Sequence, residues 1–466
     1  MLPSLGHVAV LIGLGVSLYA AVAFVLGGRS RDPVLLATAR QAIYAAFALA
    51  LIACGAMVVS LLTHDFSVAY IARNNATTTP PFYSIISLWA AIEGSILFWT
   101  LLTLGWASLV LYRYRARHAA LMPWVGMTLA LLAVFLFSVM VWPGNPFSRI
   151  TPVPLEGNGP NALLQNHPFM GLHPPLLYLG YTGLAVPFAF GIAALLTRRT
   201  DEEWLGVVRH WTIVPWIFLT LGIVAGGWWS YEVLGWGGYW AWDPVENAAL
   251  LPWLTATAFI HSSMVAERRG TLKVWSMALV IATFVLTILG TFLTRSGIVQ
   301  SVHSFTQSAI GPWFLGAIVL ALGGSLALLL WRLPDLHDRG DPPRVVSRES
   351  AFLFNNVLFL GLTFVVLFGT LMLAHLPGDR RAADQRRHAV LQRAQRADLR
   401  GAAVPDGGRA GTPLGERLVA HHPRALHAAD RGRSGRADRR PGTRHAPARP
   451  AADHGPGGVR GDGDVR

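Results

Sequence analysis

The chain holds one cysteine, Cys54, among 466 residues, so it forms no internal disulfide. No Cys-x-x-Cys-His occurs, which excludes a protein that carries haem covalently in the manner of a c-type cytochrome. Charged residues are scarce at 14% against 53% hydrophobic, and mean hydropathy is +0.44. That balance excludes a soluble domain. The first apolar run lacks a basic leading region and a small-residue cleavage site, so it reads as a retained helix and not a signal peptide.

Residues 375–466 contain no Phe, Trp, Tyr, Ile, Met, Asn, Cys or Lys, while 19 of the chain's 38 Lys+Arg residues fall from Arg380 onward. No apolar periodicity survives there, so the segment buries no core. Three readings are open. Translation of a GC-rich gene out of frame yields this Ala/Arg/Gly/Pro/His vocabulary. A disordered basic tail would bind acidic partners. A folded soluble domain is the least consistent. The expectation is a membrane domain over 1–374 and an out-of-frame or disordered tail over 375–466. The net charge of +13 then comes largely from the tail and does not indicate nucleic-acid binding.

Against these absences stand ten apolar runs of about 20 residues, long enough to cross a hydrocarbon core. They fall near 7–27, 39–62, 88–112, 121–142, 176–196, 211–227, 248–266, 274–293, 312–331 and 351–374. Lipid leaves backbone groups no partner, so the fold class is an all-α polytopic integral membrane protein of about ten transmembrane helices. Alternate connections are basic: Arg29/Arg31/Arg40, Arg113/Arg115/Arg117, Arg198/Arg199/Arg209, Arg268/Arg269/Lys273 and Arg332/Arg339/Arg344/Arg348. The intervening connections hold only Arg73, only Arg149, none, and only Arg295. By the positive-inside rule the N-terminus and the 226–247 connection lie outside, in the periplasm of a Gram-negative cell.

That connection, Gly226 to Asn247, packs Trp228, Trp229, Trp236, Trp240 and Trp242 and two tyrosines into a Gly-rich segment without Lys or Arg. Aromatics also gather at interfaces merely because they are amphipathic. This density suits a flat shelf for a large planar apolar ring such as a porphyrin. Asp243, Pro244 and Glu246 read as N-cap, first helical residue and capping-box partner of the next helix.

His173 is expected at the end of an external loop and His303 on another, both on the face of the tryptophan segment. Two imidazoles can ligate haem iron over an aromatic shelf, although a loop histidine also serves as a plain hydrogen-bonding group. His261 falls 18 residues past Asp243, about 27 Å along a helix, hence deep in the membrane. A b-type haem or a helix–helix hydrogen bond would account for it. His7, His64, His118, His167, His210 and His337 fall near helix ends or in loops.

The tryptophan segment, with Leu88–Trp99 and Glu349–Asn356, closely resembles the cytochrome c maturation haem lyase family, the CcmF/NrfE-type proteins whose superfamily carries a WWD signature. The resemblance covers residues 1 to about 374. The family continues for several hundred residues, with an external domain and helices carrying a second b-haem histidine, and none of that is seen here. The resemblance implies that His173 and His303 ligate external substrate haem. It implies that Trp228, Trp229, Trp236, Trp240, Trp242 and Asp243 form the haem platform, and that His261 ligates a membrane-embedded haem b which reduces incoming haem iron. The implied activity is haem lyase: haem vinyl groups add to the two Cys-x-x-Cys-His thiols of apocytochrome c. Implied partners are a haem chaperone, an apocytochrome-presenting subunit, apocytochrome c and membrane lipid, at a bacterial inner membrane. No catalytic acid or base can be named. Alternatives are a haem carrier of the same superfamily, which has fewer helices, and a non-haem solute transporter, for which the expected broken half-helices and inverted repeat are missing.

Overall fold

A computed structural model describes residues 1–161, 167–199, 202–234, 238–295, 309–338 and 347–375. They belong to one compact unit, Met1–Gln395; the second unit, Arg396–Arg466, and the expected anomalous tail beyond His375 lie outside the described residues. Among the described residues there is no β-strand, only an isolated bridge between Val68 and Arg149.

The helices are α1 Leu2–Ser30, α2 Pro33–Leu62, α3 Ala69–Asn74, α4 Pro81–Ile86, α5 Ile92–Arg113, α6 Met122–Val141 and α7 Phe169–Gly183. They continue with α8 Ala185–Thr197, α9 Glu202–Val233, α10 Pro244–Arg269, α11 Lys273–Arg295, α12 Gly311–Arg332 and α13 Arg348–His375. Together α7 and α8 make one span, while α3 and α4 lie in the connection between α2 and α5, so ten spans are long and apolar enough to cross a membrane. Local signals set the starts. Asp32 accepts from the amides of Val34 and Leu35 with Pro33 leading α2. Asp243 and Glu246 form the expected capping box at the head of α10, and Gly270, at φ 66°, ends it.

Two ends differ from the sequence expectation. The sixth span, read as 211–227, is helical over Glu202–Val233, so the first third of the tryptophan segment is helix and not connection. The fifth, read from residue 176, begins at Phe169, which puts His173 in the second turn of α7 and not in a loop. Apolar windows stop at polar and aromatic interfacial residues through which a helix still runs. His210, expected near a helix end, therefore sits about two turns inside α9, exposed, with Nδ1 2.7 Å from the Gly206 carbonyl.

Packing positions the site. Helix α7 crosses α9 at small residues: a methyl on Gly222 would lie 2.8 Å from the backbone nitrogen of Leu177. Helix α10 is tied to α13 by Asn247 Nδ2 donating to Thr370 Oγ1 at 2.9 Å and Asn356 Nδ2 donating to Ser262 Oγ at 2.7 Å. Helices α12 and α13 turn large apolar side chains such as Leu320, Phe354 and Phe364 outward, as lipid contact requires.

Candidate functional site

Where α5, α7 and α10 begin and α9 and α11 end, the helices leave a cavity. Its wall is mostly apolar and aromatic, with Trp89, Trp99, Met170, Leu177, Tyr178, Tyr181 and Trp229, and His173 opens onto it. This mix suits a mainly apolar ligand oriented by few polar groups.

His173 is held from two sides. Its Nδ1 lies 2.7 Å from the Gly222 carbonyl oxygen. A carbonyl only accepts, so Nδ1 carries a proton; in the neutral ring the lone pair is then on Nε2, the form in which imidazole ligates a metal. The ring stacks on Trp229, with centroids 6.5 Å apart and planes 10° apart. It rests over Gly226, where a Cβ would fall 2.3 Å from His173 Cε1. Gly222 and Gly226 form a Gly-x-x-x-Gly pair that marks this close approach in the sequence.

The tryptophans do not form one flat shelf. Trp228 and Trp229 are consecutive on α9, so they point about 100° apart. Trp229 is 1% exposed and faces the cavity, whereas Trp228 is exposed, packs on Phe169 and donates Nε1 to Glu232. Glu232 also pairs with His167 Nε2 at 2.5 Å, clipping the end of α9 to the strap before α7. Trp240 and Trp242 meet edge to face at 86°. Among the described residues no acceptor reaches the buried Trp240 Nε1. Trp242 is at φ 58°, a strained backbone for a bulky residue, and Asn247 Nδ2 holds its carbonyl at 3.0 Å. Glu246 closes the segment: its Oε2 accepts from the amides of Ala241 at 2.9 Å and Asp243 at 3.2 Å. Trp236 and His303 lie outside the described residues.

His261 is elsewhere, near the other end of α10, between Phe352 and Phe359 of α13 with ring centroids at 5.2 Å and 6.0 Å. Asn355 Nδ2 is 3.5 Å from its Nδ1. The imidazole thus joins α10 to α13 through two aromatic contacts and one amide. Among the described residues no cluster of three or more His, Cys, Asp or Glu side chains could hold a metal ion.

The sequence reading missed three features. Arg295, counted as a loop charge, is the last residue of α11 and lines the cavity, donating Nη2 to Ser95 Oγ at 3.0 Å and to Tyr178 Oη. Pro174 has no N–H for the carbonyl of Met170, and Trp89 Nε1 donates to it at 3.1 Å instead. Pro252 likewise frees the carbonyl of Ala248, which the Tyr181 hydroxyl takes at 2.5 Å. The i+4 offset of each proline from its acceptor is legible in the sequence, but the replacement donor is not.

A family model described as Cytochrome C assembly protein matches residues 89–299. The cytochrome c-type biogenesis protein CcmF of Pseudomonas aeruginosa is 41% identical over 375 residues, covering 80% of this chain and 56% of that protein. CcmF of Escherichia coli K12 is 41% identical over 374 residues, covering 80% and 58%. The probable cytochrome c-type biogenesis protein NrfE of Escherichia coli is 41% identical over 352 residues, covering 74% and 62%. The chain thus spans little more than half the length of these relatives. A solved structure of Cytochrome c Heme Lyase CcmF superposes with a TM-score of 0.69 at 36% identity, over 90% of this chain and 64% of that one. Residues 89–299 take in most of the cavity wall, its prolines and the capped tryptophan segment, and this polytopic helical chain belongs to the CcmF/NrfE-type family of cytochrome c-type biogenesis proteins.

Proposed function

We propose that this chain binds haem as substrate at the periplasmic face of a bacterial inner membrane and directs its thioether attachment to apocytochrome c. The carrying observation is His173: its tautomer is set by the Gly222 carbonyl, and its ring is stacked on Trp229 at the wall of an aromatic cavity. Trp229 lies on that wall, and Trp228, Trp240, Trp242 and Asp243 of the adjoining tryptophan segment, with Trp236 and His303, complete the proposed platform. The names of the relatives support a place in cytochrome c biogenesis, and lyase chemistry is carried over from the solved relative's name.

The chemistry asked of the protein is positioning. Each apocytochrome thiol adds S–H across a haem vinyl C=C, sulfur bonding the inner carbon and hydrogen the outer. The addition needs no further co-reactant, which fits a chain whose only cysteine, Cys54, is buried. Helix ends α5, α7, α9 and α10 fix the cavity wall, and the capping box fixes the return of the tryptophan segment. His261 would hold one face of a resident haem b, whose contribution is electron transfer. A haem chaperone and an apocytochrome-presenting subunit are the proposed partners.

Purified protein reconstituted with haem tests the reading by its absorption spectrum, and co-expression with an apocytochrome separates lyase from carrier. Covalent haem on the cytochrome supports the lyase. Bound haem without transfer supports a carrier, and absence of haem binding overturns both.

A further inference from the structure

Resting on the haem reading above, we propose that Arg295 is a carboxylate seat: it receives a propionate-type side chain of the tetrapyrrole whose ring occupies the cavity.

Among the described cavity-lining residues Arg295 is the one fixed charge, and no Asp, Glu or Lys shares the wall with it. A cation inside a membrane domain is costly unless it pairs or serves a ligand. The described partners of Arg295 are two neutral hydroxyls, Ser95 and Tyr178, both reached through Nη2. Among the described residues none of the ion pairs involves it; Glu93, two residues before Ser95 on α5, is taken by Arg73 at 3.2 Å. Guanidinium offers a planar fork that matches a carboxylate in two parallel hydrogen bonds, and the Nε and Nη1 edge remains for it. A bland role also exists, since a cation at the C-terminus of α11 meets the negative end of the helix dipole. That role requires no cavity and predicts no ligand preference. An apolar, aromatic wall with one forked cation is the complement of a flat apolar ring bearing a carboxylate.

The test uses the full chain in detergent and two metal-free ligands that no histidine can ligate: protoporphyrin IX and its dimethyl ester, titrated by porphyrin fluorescence. The intact protein is expected to bind the free acid about tenfold more tightly than the ester. Arg295→Gln should lower acid affinity to that of the ester and leave ester affinity unchanged, which also reports that the variant is folded. Arg295→Lys should keep a reduced preference, because lysine is a point charge without the fork. An unchanged acid-to-ester ratio in Arg295→Gln overturns the seat, as does equal binding by the intact protein; the haem reading survives either result. Binding of neither porphyrin, nor of iron haem, overturns both. Should Arg295→Gln lose both ligands, Arg295→Lys decides: no acid preference with ester binding intact overturns the seat, and retained preference supports it. Excess stearate displacing the porphyrin with the same Arg295 dependence would assign the seat to lipid carboxylates and overturn the tetrapyrrole assignment.

Discussion

The Nδ1 of His173 sits 2.7 Å from the carbonyl oxygen of Gly222, one turn of α9 before the glycine that the imidazole covers. Histidine and helix are thus fitted to each other. His173→Ala should reduce haem affinity about tenfold or more while leaving insertion intact. Gly226→Ala should do the same while keeping the histidine, because its Cβ would fall 2.3 Å from Cε1 and displace the ring. The absorption spectrum of both variants checks this, and unchanged haem content in both refutes the ligand assignment.

Orientation follows from the basic connections. A periplasmic reporter fused near Asn158 should be active and one near Arg269 inactive. The reverse pattern would put the cavity on the cytoplasmic side.

Trp89→Phe and Tyr181→Phe should each destabilise the protein by about 1–3 kcal/mol, since each leaves a proline-freed carbonyl unpaired. Thermal unfolding in detergent reads the effect. A null result in both variants would mean that water or a backbone shift serves those carbonyls.

The Thr77 hydroxyl and amide and the Gly157 amide hold the Glu156 carboxyl below its usual range. A lowered folded-state value means the ordering of this strap between α6 and α7 is complete above the unfolded range of about 4.3 and is lost as pH falls through the folded value. Proteolysis of the strap should rise with acid in that window, and Glu156→Gln should flatten the dependence.

At His261 a b-type haem is expected to be five-coordinate, because one imidazole stands between Phe352 and Phe359. A six-coordinate spectrum lost in His261→Ala would reveal a second ligand. Its loss also in His210→Ala would place that ligand on α9.

The ten spans and the cap at Asp243 were legible because hydropathy and cap chemistry are local. Helix ends were not, since Trp228, Trp229 and Glu232 lower an apolar average without ending a helix. The split of Trp228 from Trp229 follows from the 100° step once the helix is known to continue. Arg295 was misjudged as a loop charge because sequence gives the end of a helix within a few residues, not the direction in which its last side chain points. The Gly222/Gly226 pair did carry the α7–α9 contact, although which residue would fill it came only from the packing.

A hydroxyl or indole has one hydrogen to give. Tyr181 gives its hydrogen to Ala248, Trp89 to Met170, and Ser95 to Ile92. Toward the cavity these three residues therefore offer ring faces and lone pairs. The proline gaps act as a polarity filter, committing the hydrogens of Trp89 and Tyr181 to helix carbonyls and leaving Arg295 as the charged donor that meets anything arriving with lone pairs of its own.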